Sequence, residues 1–143
     1  MEAQIVNVIH SCADCAPLIP HGHKRSARQL DFMQLHKLNK RFDAIFALNC
    51  LLHVAKADLS TVLEQVKQRL QPNGLFYYGV YGGTPFEGLH SRNNPPSRFF
   101  SLHGDKEIQK MVANHFEIVE FRTIPVTDTL ISHFQSMIWR RTD

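Results

Sequence analysis

Two apolar runs separated by an amphipathic helix pattern constrain the fold of this chain most strongly. Residues 43–48 (DAIFAL) form a short, almost continuously apolar run, as expected for a strand buried on both faces of a parallel sheet. Residues 56–70 then place apolar side chains three and four positions apart, which predicts a helix with one buried stripe. Pro72 and Gly74 end this helix, and residues 75–80 form the second apolar run. The pattern predicts two parallel strands, 43–48 and 75–80, joined by a helical crossover.

The rest of the chain adds shorter elements. Residues 86–98 contain Asn-Asn-Pro-Pro and are interpreted as a polar surface loop or lid. Further patterns predict a helix at 105–114, a half-buried strand at 116–121 and a last strand at His133–Arg140, paired as a hairpin through residues 125–130. The predicted fold class is α/β, with parallel strands, helices and an antiparallel C-terminal strand pair.

The first thirty residues differ in character from the rest. We interpret 1–29 as an irregular segment rich in cysteine and histidine, and 30–143 as the folded domain. Residues 4–9 could form a strand, whereas 11–28 show no apolar period and are expected to be poorly ordered. Four side chains in this segment could bind zinc, but their spacing is shorter than in common zinc sites, so no metal is predicted. These side chains are Cys12, Cys15, His21 and His23.

Composition excludes several functional classes. The 143 residues carry a formal charge of +3 with the basic residues scattered, so no nucleic-acid partner is predicted. No apolar run approaches the ~20 residues that a membrane-spanning helix needs, and no signal peptide is recognisable. Three cysteines cannot all pair with one another within the chain. These features predict a cytoplasmic protein without membrane contact.

The ordered elements resemble a known enzyme family. The Asp31-Phe32 step, the run from Phe42 to Val54 and the turn Leu-Gln-Pro-Asn-Gly at 70–74 occur in the order found in class I S-adenosylmethionine-dependent methyltransferases. The resemblance covers the chain from about residue 30 to its end and corresponds to the C-terminal part of that domain. It implies an incomplete Rossmann-like sheet, S-adenosylmethionine as cofactor and a small-molecule methyl acceptor.

The same resemblance implies roles for individual residues. Asp31 and Phe32 are expected to contact the adenine of the cofactor, and Asn49 and Cys50 to line the methyl-transfer end. His53 is expected to orient the substrate or act as a base, although it could instead cap the next helix or fill a gap beneath it. Tyr81 and Phe86 are expected on the substrate side, where the loop 82–98 would close.

One part of the family pattern is not recognisable. The family holds its cofactor with a glycine-rich loop and a second acidic residue, but Gly22 is the only glycine here before Gly74. The chain is therefore expected to bind S-adenosylmethionine weakly or not at all. The alternative is a non-catalytic, degenerate methyltransferase-like module that binds a partner protein. The missing strand would leave an unpaired edge at the centre of the sheet, which predicts self-association through that edge.

Overall fold

A computed structural model describes residues 5–7, 30–90, 97–127 and 131–143. The strands are β1 (Ile5–Asn7), β2 (Phe42–Leu48), β3 (Leu70–Gly82), β4 (Phe86–His90), β5 (Arg98–Leu102), β6 (Glu117–Pro125) and β7 (His133–Arg140). The helices are α1 (Lys56–Arg69) and α2 (Asp105–Ala113), with short 3₁₀ helices at Phe32–Lys37 and Leu51–His53. Within these ranges no helix has the length and apolar character needed to span a membrane.

Five strands form one mixed sheet in the order β1-β2-β3-β7-β6. β1, β2 and β3 run parallel, and β7 pairs antiparallel with both β3 and β6. The predicted parallel pairing of 43–48 with 75–80, joined by a helix, is therefore confirmed. The predicted antiparallel strand pair at one edge is confirmed as well, and β7 has the predicted bounds.

Helix α1 follows its apolar stripe, because Leu59, Val62, Leu63 and Val66 are all buried. Its dipole is complemented by Asp58 in the first turn and by basic residues in the last. The predicted helix ended at Leu70, but α1 ends one position earlier, at Arg69, and Leu70 begins β3.

The Pro-Asn-Gly turn lies inside β3 rather than before it. Leu70 pairs with Phe42 and Leu75 pairs with Ala44, so residues 71–74 bulge out of the ladder between these two pairs. Asn73 adopts a left-handed backbone with φ of 62°, as expected for asparagine in this turn. Gly74 is required for close approach, since a Cβ there would lie 2.8 Å from the carbonyl oxygen of Gln71. The strand predicted at 75–80 is thus the regular part of a longer β3.

The two faces of the sheet are buried to different degrees. We call the covered face the helix face; its side chains are at most 2% exposed and comprise Ile45, Ala47, Phe76, Tyr78, Val80, Met137 and Trp139. The opposite face, which we call the aromatic face, carries the half-buried Phe46, Tyr77, Tyr81 and Phe134. The prediction that residues 43–48 are buried on both faces is wrong, since Leu48 is 48% exposed. In the described ranges, the buried faces of α1 and α2 belong to one core that covers only the helix face.

The prediction of a surface loop at 86–98 is wrong for residues 86–90 and for Arg98, which lie in strands. β4 and β5 form a two-stranded antiparallel sheet in which Phe86 pairs with Leu102 and His90 pairs with Arg98. The asparagines and prolines lie between the two strands, in residues outside the described ranges. Phe100, Ser101 and Leu102 are buried, so the second strand of this hairpin fastens it to the core.

The edges of the sheet also differ from expectation. β6 is longer than the predicted strand at 116–121 and is mostly exposed rather than half-buried, with Ile118 at 45% and Val119 at 46%. β1 pairs with β2, so the expectation that this edge of β2 is unpaired is wrong, whereas self-association through a sheet edge stays a prediction. Residues 11–28, predicted to be poorly ordered, lie outside the described ranges. The division into 1–29 and 30–143 stays a prediction.

Candidate functional site

A cleft of about 410 Å³ opens beside the segment that follows β2. Its walls come from the start of the first 3₁₀ helix, from the second 3₁₀ helix with the first turn of α1, and from β5. The lining residues are Asp31, Phe32, Met33, His53, Val54, Ala55, Asp58 and Phe99. The structure therefore brings together three residues predicted from the sequence, namely Asp31, Phe32 and His53.

Asp31 caps the first 3₁₀ helix at the cleft. Its Oδ1 atom accepts a hydrogen bond of 2.8 Å from the backbone N–H of Met33, and its backbone is extended as an N-cap requires. The carboxylate is exposed, so this cap leaves it within reach of a ligand. Phe32 is only 2% exposed, so most of its ring supports the cleft from the core side.

His53 is held by the neighbouring hairpin. Its Nδ1 atom lies 2.7 Å from the carbonyl oxygen of Phe99, and its ring lies 5.2 Å from that of Phe100 at an angle of 54°. Because a carbonyl only accepts, Nδ1 carries the proton and Nε2 is the basic nitrogen of the neutral ring. The expected alternative of a helix cap does not apply, since Ala55 rather than His53 is the N-cap of α1.

The first turn of α1 is stabilised by a residue distant in sequence. The backbone N–H of Lys56 donates to Glu87 Oε2 at 2.8 Å, and its ammonium group contacts Glu107 Oε1 at 2.8 Å. A carboxylate at this position satisfies an unpaired helix N–H and complements the helix dipole. These contacts fasten the Ala55–Asp58 wall of the cleft to β4 and α2.

Asn49 lies at the carboxyl end of β2 with an uncommon backbone. Its φ is 51°, and its N–H donates to the carbonyl oxygen of Gly79 at 2.8 Å. Its Oδ1 atom is buried and has no hydrogen-bond partner among the described residues. A buried acceptor without a donor costs free energy, which makes this oxygen a candidate for ligand contact. Asn49 does not line the cleft, however, and its predicted role is untested.

Cys50 belongs to the core rather than to a reactive site. The residue is 6% exposed, and burial raises the pKa of its thiol to about 12. A protonated thiol is a poor nucleophile, so Cys50 is unsuited to covalent catalysis. Its predicted contact with a cofactor also remains untested.

Tyr81 and Phe86 lie apart from the cleft. The Tyr81 ring meets that of Phe134 edge to face at 5.4 Å on the aromatic face. Phe86 lies in β4, half-buried, with its ring edge-on to that of His90 at 6.2 Å. Their predicted location on the substrate side stays a prediction.

Sequence reasoning missed a polar cluster at the end of β3, formed by His103, Asp105, His133 and Gln135. Asp105 Oδ1 accepts from His133 Nε2 at 2.6 Å and from Gln135 Nε2 at 2.8 Å, and Gln135 also donates to the carbonyl oxygen of His103. Burial raises the pKa of Asp105, but the hydrogen bonds from Gln135 and His133 outweigh it and lower the pKa overall. Burial lowers the pKa of His103.

Asp58 and Phe99 were also missed as cleft residues. Phe99 lies 46 positions after His53, and neither residue carries a local signal of its proximity to Asp31. No group of three or more metal-binding side chains occurs in the described part of the chain. The alternative zinc ligands Cys12, Cys15, His21 and His23 lie outside it.

The sequence matches one known family over half of the chain. The model of that family, described as a methyltransferase domain, matches residues 7–78, which include β2, α1 and the cleft residues up to Asp58. The match begins well before residue 30, where the resemblance was expected to start. No curated protein sequence matches the chain.

Solved structures, methyltransferases among them, share the fold. The 1,6-didemethyltoxoflavin N1-methyltransferase of Burkholderia thailandensis, solved with S-adenosylhomocysteine, is 25% identical, with a TM-score of 0.61 over 76% of this chain and 48% of that one. A methyltransferase of Methanosarcina mazei is 14% identical, with a TM-score of 0.70 over 96% of this chain and 82% of that one. TehB of Haemophilus influenzae is 12% identical, with a TM-score of 0.58 over 80% of this chain and 40% of its own. The chain thus spans about half the length of the Burkholderia enzyme and 40% of the length of TehB.

Proposed function

The chain belongs to the S-adenosylmethionine-dependent methyltransferase family, and from this premise we propose that its cleft binds the adenosine part of the cofactor and serves methyl transfer to a small molecule. One observation carries the proposal. Asp31, expected at the adenine, and His53, expected at the substrate, come from different elements but line the same cleft.

The residues of the cleft suit an adenine ring. Its volume of about 410 Å³ lies in the range of small-molecule sites. The Asp31 carboxylate can accept from an exocyclic amine while keeping its bond to Met33, because each oxygen accepts more than one hydrogen bond. Met33, Val54 and Phe99 supply apolar surface for the faces of the ring.

His53 is the residue that we propose for proton transfer. Its bond to the Phe99 carbonyl orients the ring and makes Nε2 the basic nitrogen, which can take a proton from an O–H or N–H acceptor. When bound, S-adenosylmethionine supplies a methyl group already activated by the sulfonium. The protein then acts mainly by positioning the acceptor and excluding water.

We propose that cofactor affinity is weak. The described residues offer Asp31 as a contact for adenine and the buried Oδ1 atom of Asn49 as a contact for the methyl-transfer end of the cofactor. No glycine-rich loop for the methionine carboxylate is recognisable in the sequence. Each unpaired polar group of a buried ligand costs about 1–3 kcal/mol, so two or three missing contacts lower affinity about a thousandfold.

The proposed acceptor is a small molecule, by analogy with the relatives. The Burkholderia enzyme was solved with 1,6-didemethyltoxoflavin, and NodS of Bradyrhizobium japonicum, 12% identical, is an N-methyltransferase solved with S-adenosylhomocysteine. The second candidate is a degenerate module that binds a partner protein without catalysis. Its support is that the glycine-rich loop, which forms half of the cofactor site in the family, is not recognisable in the sequence.

Calorimetric titration with S-adenosylhomocysteine separates the two candidates. We expect measurable binding with a dissociation constant between high micromolar and millimolar, weakened at least about tenfold by Asp31→Ala. Glu117→Ala, which removes an exposed carboxylate on β6, should leave binding unchanged. The absence of heat at millimolar ligand supports the degenerate module instead. Equal binding by wild type and Asp31→Ala places the ligand outside this cleft.

A further inference from the structure

Three polar side chains form a hydrogen-bonded chain on the surface of α1 that the proposed function does not use. His115 Nε2 lies 3.0 Å from Ser60 Oγ, and His115 Nδ1 lies 3.2 Å from Glu64 Oε2. Ser60 and Glu64 are four positions apart on α1, so they share one face of the helix and a single imidazole bridges them. A hydroxyl, an imidazole and a carboxylate bonded in this order are the arrangement by which proteins activate a serine as a nucleophile.

This group of three side chains is separate from the cleft. Asp58 lines the cleft, and at about 100° per residue Ser60 lies about 200° further around the helix. His115 follows α2 and does not line the cleft. Its chemistry with Ser60 is therefore independent of cofactor binding near Asp31.

The carboxylate fixes which nitrogen of His115 is basic. A carboxylate only accepts hydrogen bonds, so Nδ1 carries the proton of the neutral ring and Nε2 accepts from the Ser60 hydroxyl. Burial raises the pKa of Glu64, but the hydrogen bonds from Gln68 and His115 outweigh it and lower the pKa overall. Glu64 is therefore ionised at neutral pH and holds the imidazole in the tautomer that can take the serine proton.

The imidazole is held in place, whereas the hydroxyl is open to solvent. The His115 side chain is 13% exposed, its backbone N–H donates to the Val112 carbonyl at 2.9 Å, and its ring lies 6.5 Å from that of Phe116. Ser60 is exposed on α1. A reagent can therefore reach the hydroxyl from solvent while the imidazole keeps its position.

The backbone at Ser60 limits the chemistry of this group. Ser60 is the fifth residue of α1, so its N–H belongs to the helix ladder and cannot stabilise an oxyanion. Without that donor the attack on an amide or an alkyl ester is slow, so the acyl donor must carry a good leaving group. Hydrolysis of an acyl-serine is slow for the same reason, because an acyl-serine is itself an alkyl ester.

We propose that Ser60 is an acyl-accepting nucleophile for small aryl esters, with His115 as its general base and Glu64 as a positioning residue. Ser60 Oγ bonds to the carbonyl carbon as its proton passes to His115 Nε2. The bond from that carbon to the aryl oxygen then breaks, the aryloxide leaves with the electron pair, and the imidazole releases the proton to solvent. The product is a long-lived O-acyl serine on α1.

A purely structural role makes a different prediction. The bonds from His115 to Ser60 and Glu64 also tie the segment after α2 to α1. Loss of such a tie changes the stability of the fold but leaves the reactivity of the hydroxyl as it is in any exposed serine. The rate of acylation therefore separates the two roles.

Reaction of the full chain with p-nitrophenyl acetate, followed by tryptic digestion and mass spectrometry, tests the proposal. Ser60 lies in the tryptic peptide 57–67, and tandem spectra separate it from Thr61. Ser97, an exposed serine just before β5, is the unactivated reference. We expect Ser60 to be acetylated at least about a hundredfold faster than Ser97, since general-base catalysis contributes about 10²–10⁴-fold.

Two variants test the nucleophile and the base. Ser60→Ala should abolish acetylation of peptide 57–67, and alanine is well tolerated in a helix, so this variant should fold. His115→Asn should lower the rate at Ser60 to the rate at Ser97. Circular dichroism of each variant establishes that it is folded.

A third variant tests the positioning residue. Glu64→Gln removes the charge but keeps an acceptor oxygen, and it should slow acetylation of Ser60 at least about tenfold. Its thermal unfolding midpoint should stay close to that of wild type, because exposed ion pairs contribute little to stability. Glu117→Gln, at an exposed carboxylate on β6, is the matched control and should leave the rate unchanged.

Two outcomes overturn the proposal. Equal rates at Ser60 and Ser97 in wild type show that the Ser60 hydroxyl is not activated. Rates at Ser60 that are the same in wild type, His115→Asn and Glu64→Gln show that the three side chains only tie α1 to the segment after α2. The comparison of the two serines in wild type decides the matter even when a variant does not fold.

Discussion

The His133 Nε2 atom lies 2.6 Å from Asp105 Oδ1 and so joins the first residue of β7 to the first residue of α2. Gln135 donates to the same oxygen at 2.8 Å, from two residues further along β7. One carboxylate thus fixes the start of α2 against the central part of the sheet. The polar cluster of His103, Asp105, His133 and Gln135 also holds the residues that follow β3, because Gly83 donates its N–H to the His103 carbonyl.

Asp105→Asn should lower stability in a manner that depends on pH. The pKa of Asp105 is lowered in the folded protein, so the carboxylate stabilises the fold above its unfolded pKa of about 3.9. This contribution is lost as pH falls through the lower, folded pKa. At pH 7 the variant should be about 1–2 kcal/mol less stable, given the partial exposure of the carboxylate. Urea unfolding at several pH values should show the difference shrinking below about pH 4, and a constant difference would contradict this account.

Truncation of the helix face should be far more costly than truncation of an exposed side chain. Phe76 is fully buried and its ring packs 5.5 Å from that of Phe116. Phe76→Ala should reduce the free energy of unfolding by about 3–5 kcal/mol. Leu89→Ala, at a residue 72% exposed, should change it by less than about 0.5 kcal/mol. If the two variants lost comparable amounts of unfolding free energy, Phe76 would not be part of the core.

The left-handed backbone of Asn49 predicts a dependence on residue type. Alanine at φ of 51° is strained, so Asn49→Ala should cost about 1 kcal/mol or more of folding stability. Asn49→Gly should retain stability, since glycine adopts positive φ without a steric penalty. Thermal unfolding of both variants tests this order. If Oδ1 also contacts a ligand, Asn49→Gly should weaken S-adenosylhomocysteine binding while the fold stays intact.

Cys50 should be inert to thiol reagents in the folded protein. With a pKa of about 12, only about one thiol in ten thousand is ionised at pH 8, and burial blocks access as well. In a variant with Cys12 and Cys15 replaced by serine, labelling by an aromatic disulfide should therefore occur at the rate of unfolding. Rapid labelling without denaturant would show that the segment at the carboxyl end of β2 opens to solvent while the rest of the protein stays folded.

Periodicity predicted the elements whose burial is regular along the chain. α1 and β7 agree with prediction to within one residue, because each presents a continuous apolar pattern to the same core. The β4–β5 hairpin was missed because the Asn-Asn-Pro-Pro signal dominates a short segment. Its strands are defined by their pairing and by the burial of Phe100 and Leu102.

Burial and proximity were harder to predict than strand positions. Alternation in 116–121 suggested one buried face, yet β6 lies at an edge of the sheet and is mostly exposed. For the site, local motifs led to Asp31, Phe32 and His53, which do share a cleft. Phe99 and Asp58 join it only through tertiary packing, for which a single sequence carries no local signal.

The location of β3 at the centre of the sheet has a consequence for how the chain folds. β6 and β7 are neighbours both in sequence and in space, so their hairpin can form early, on a microsecond scale. β3 must pair with β7 across about fifty intervening residues, and closing such a loop is slow. We expect amides of the β6–β7 ladder to gain protection from hydrogen exchange before those of the β2–β3 ladder. Refolding would then end when β3 pairs with β2 on one side and β7 on the other, so the last contacts to form would lie in the middle of the sheet.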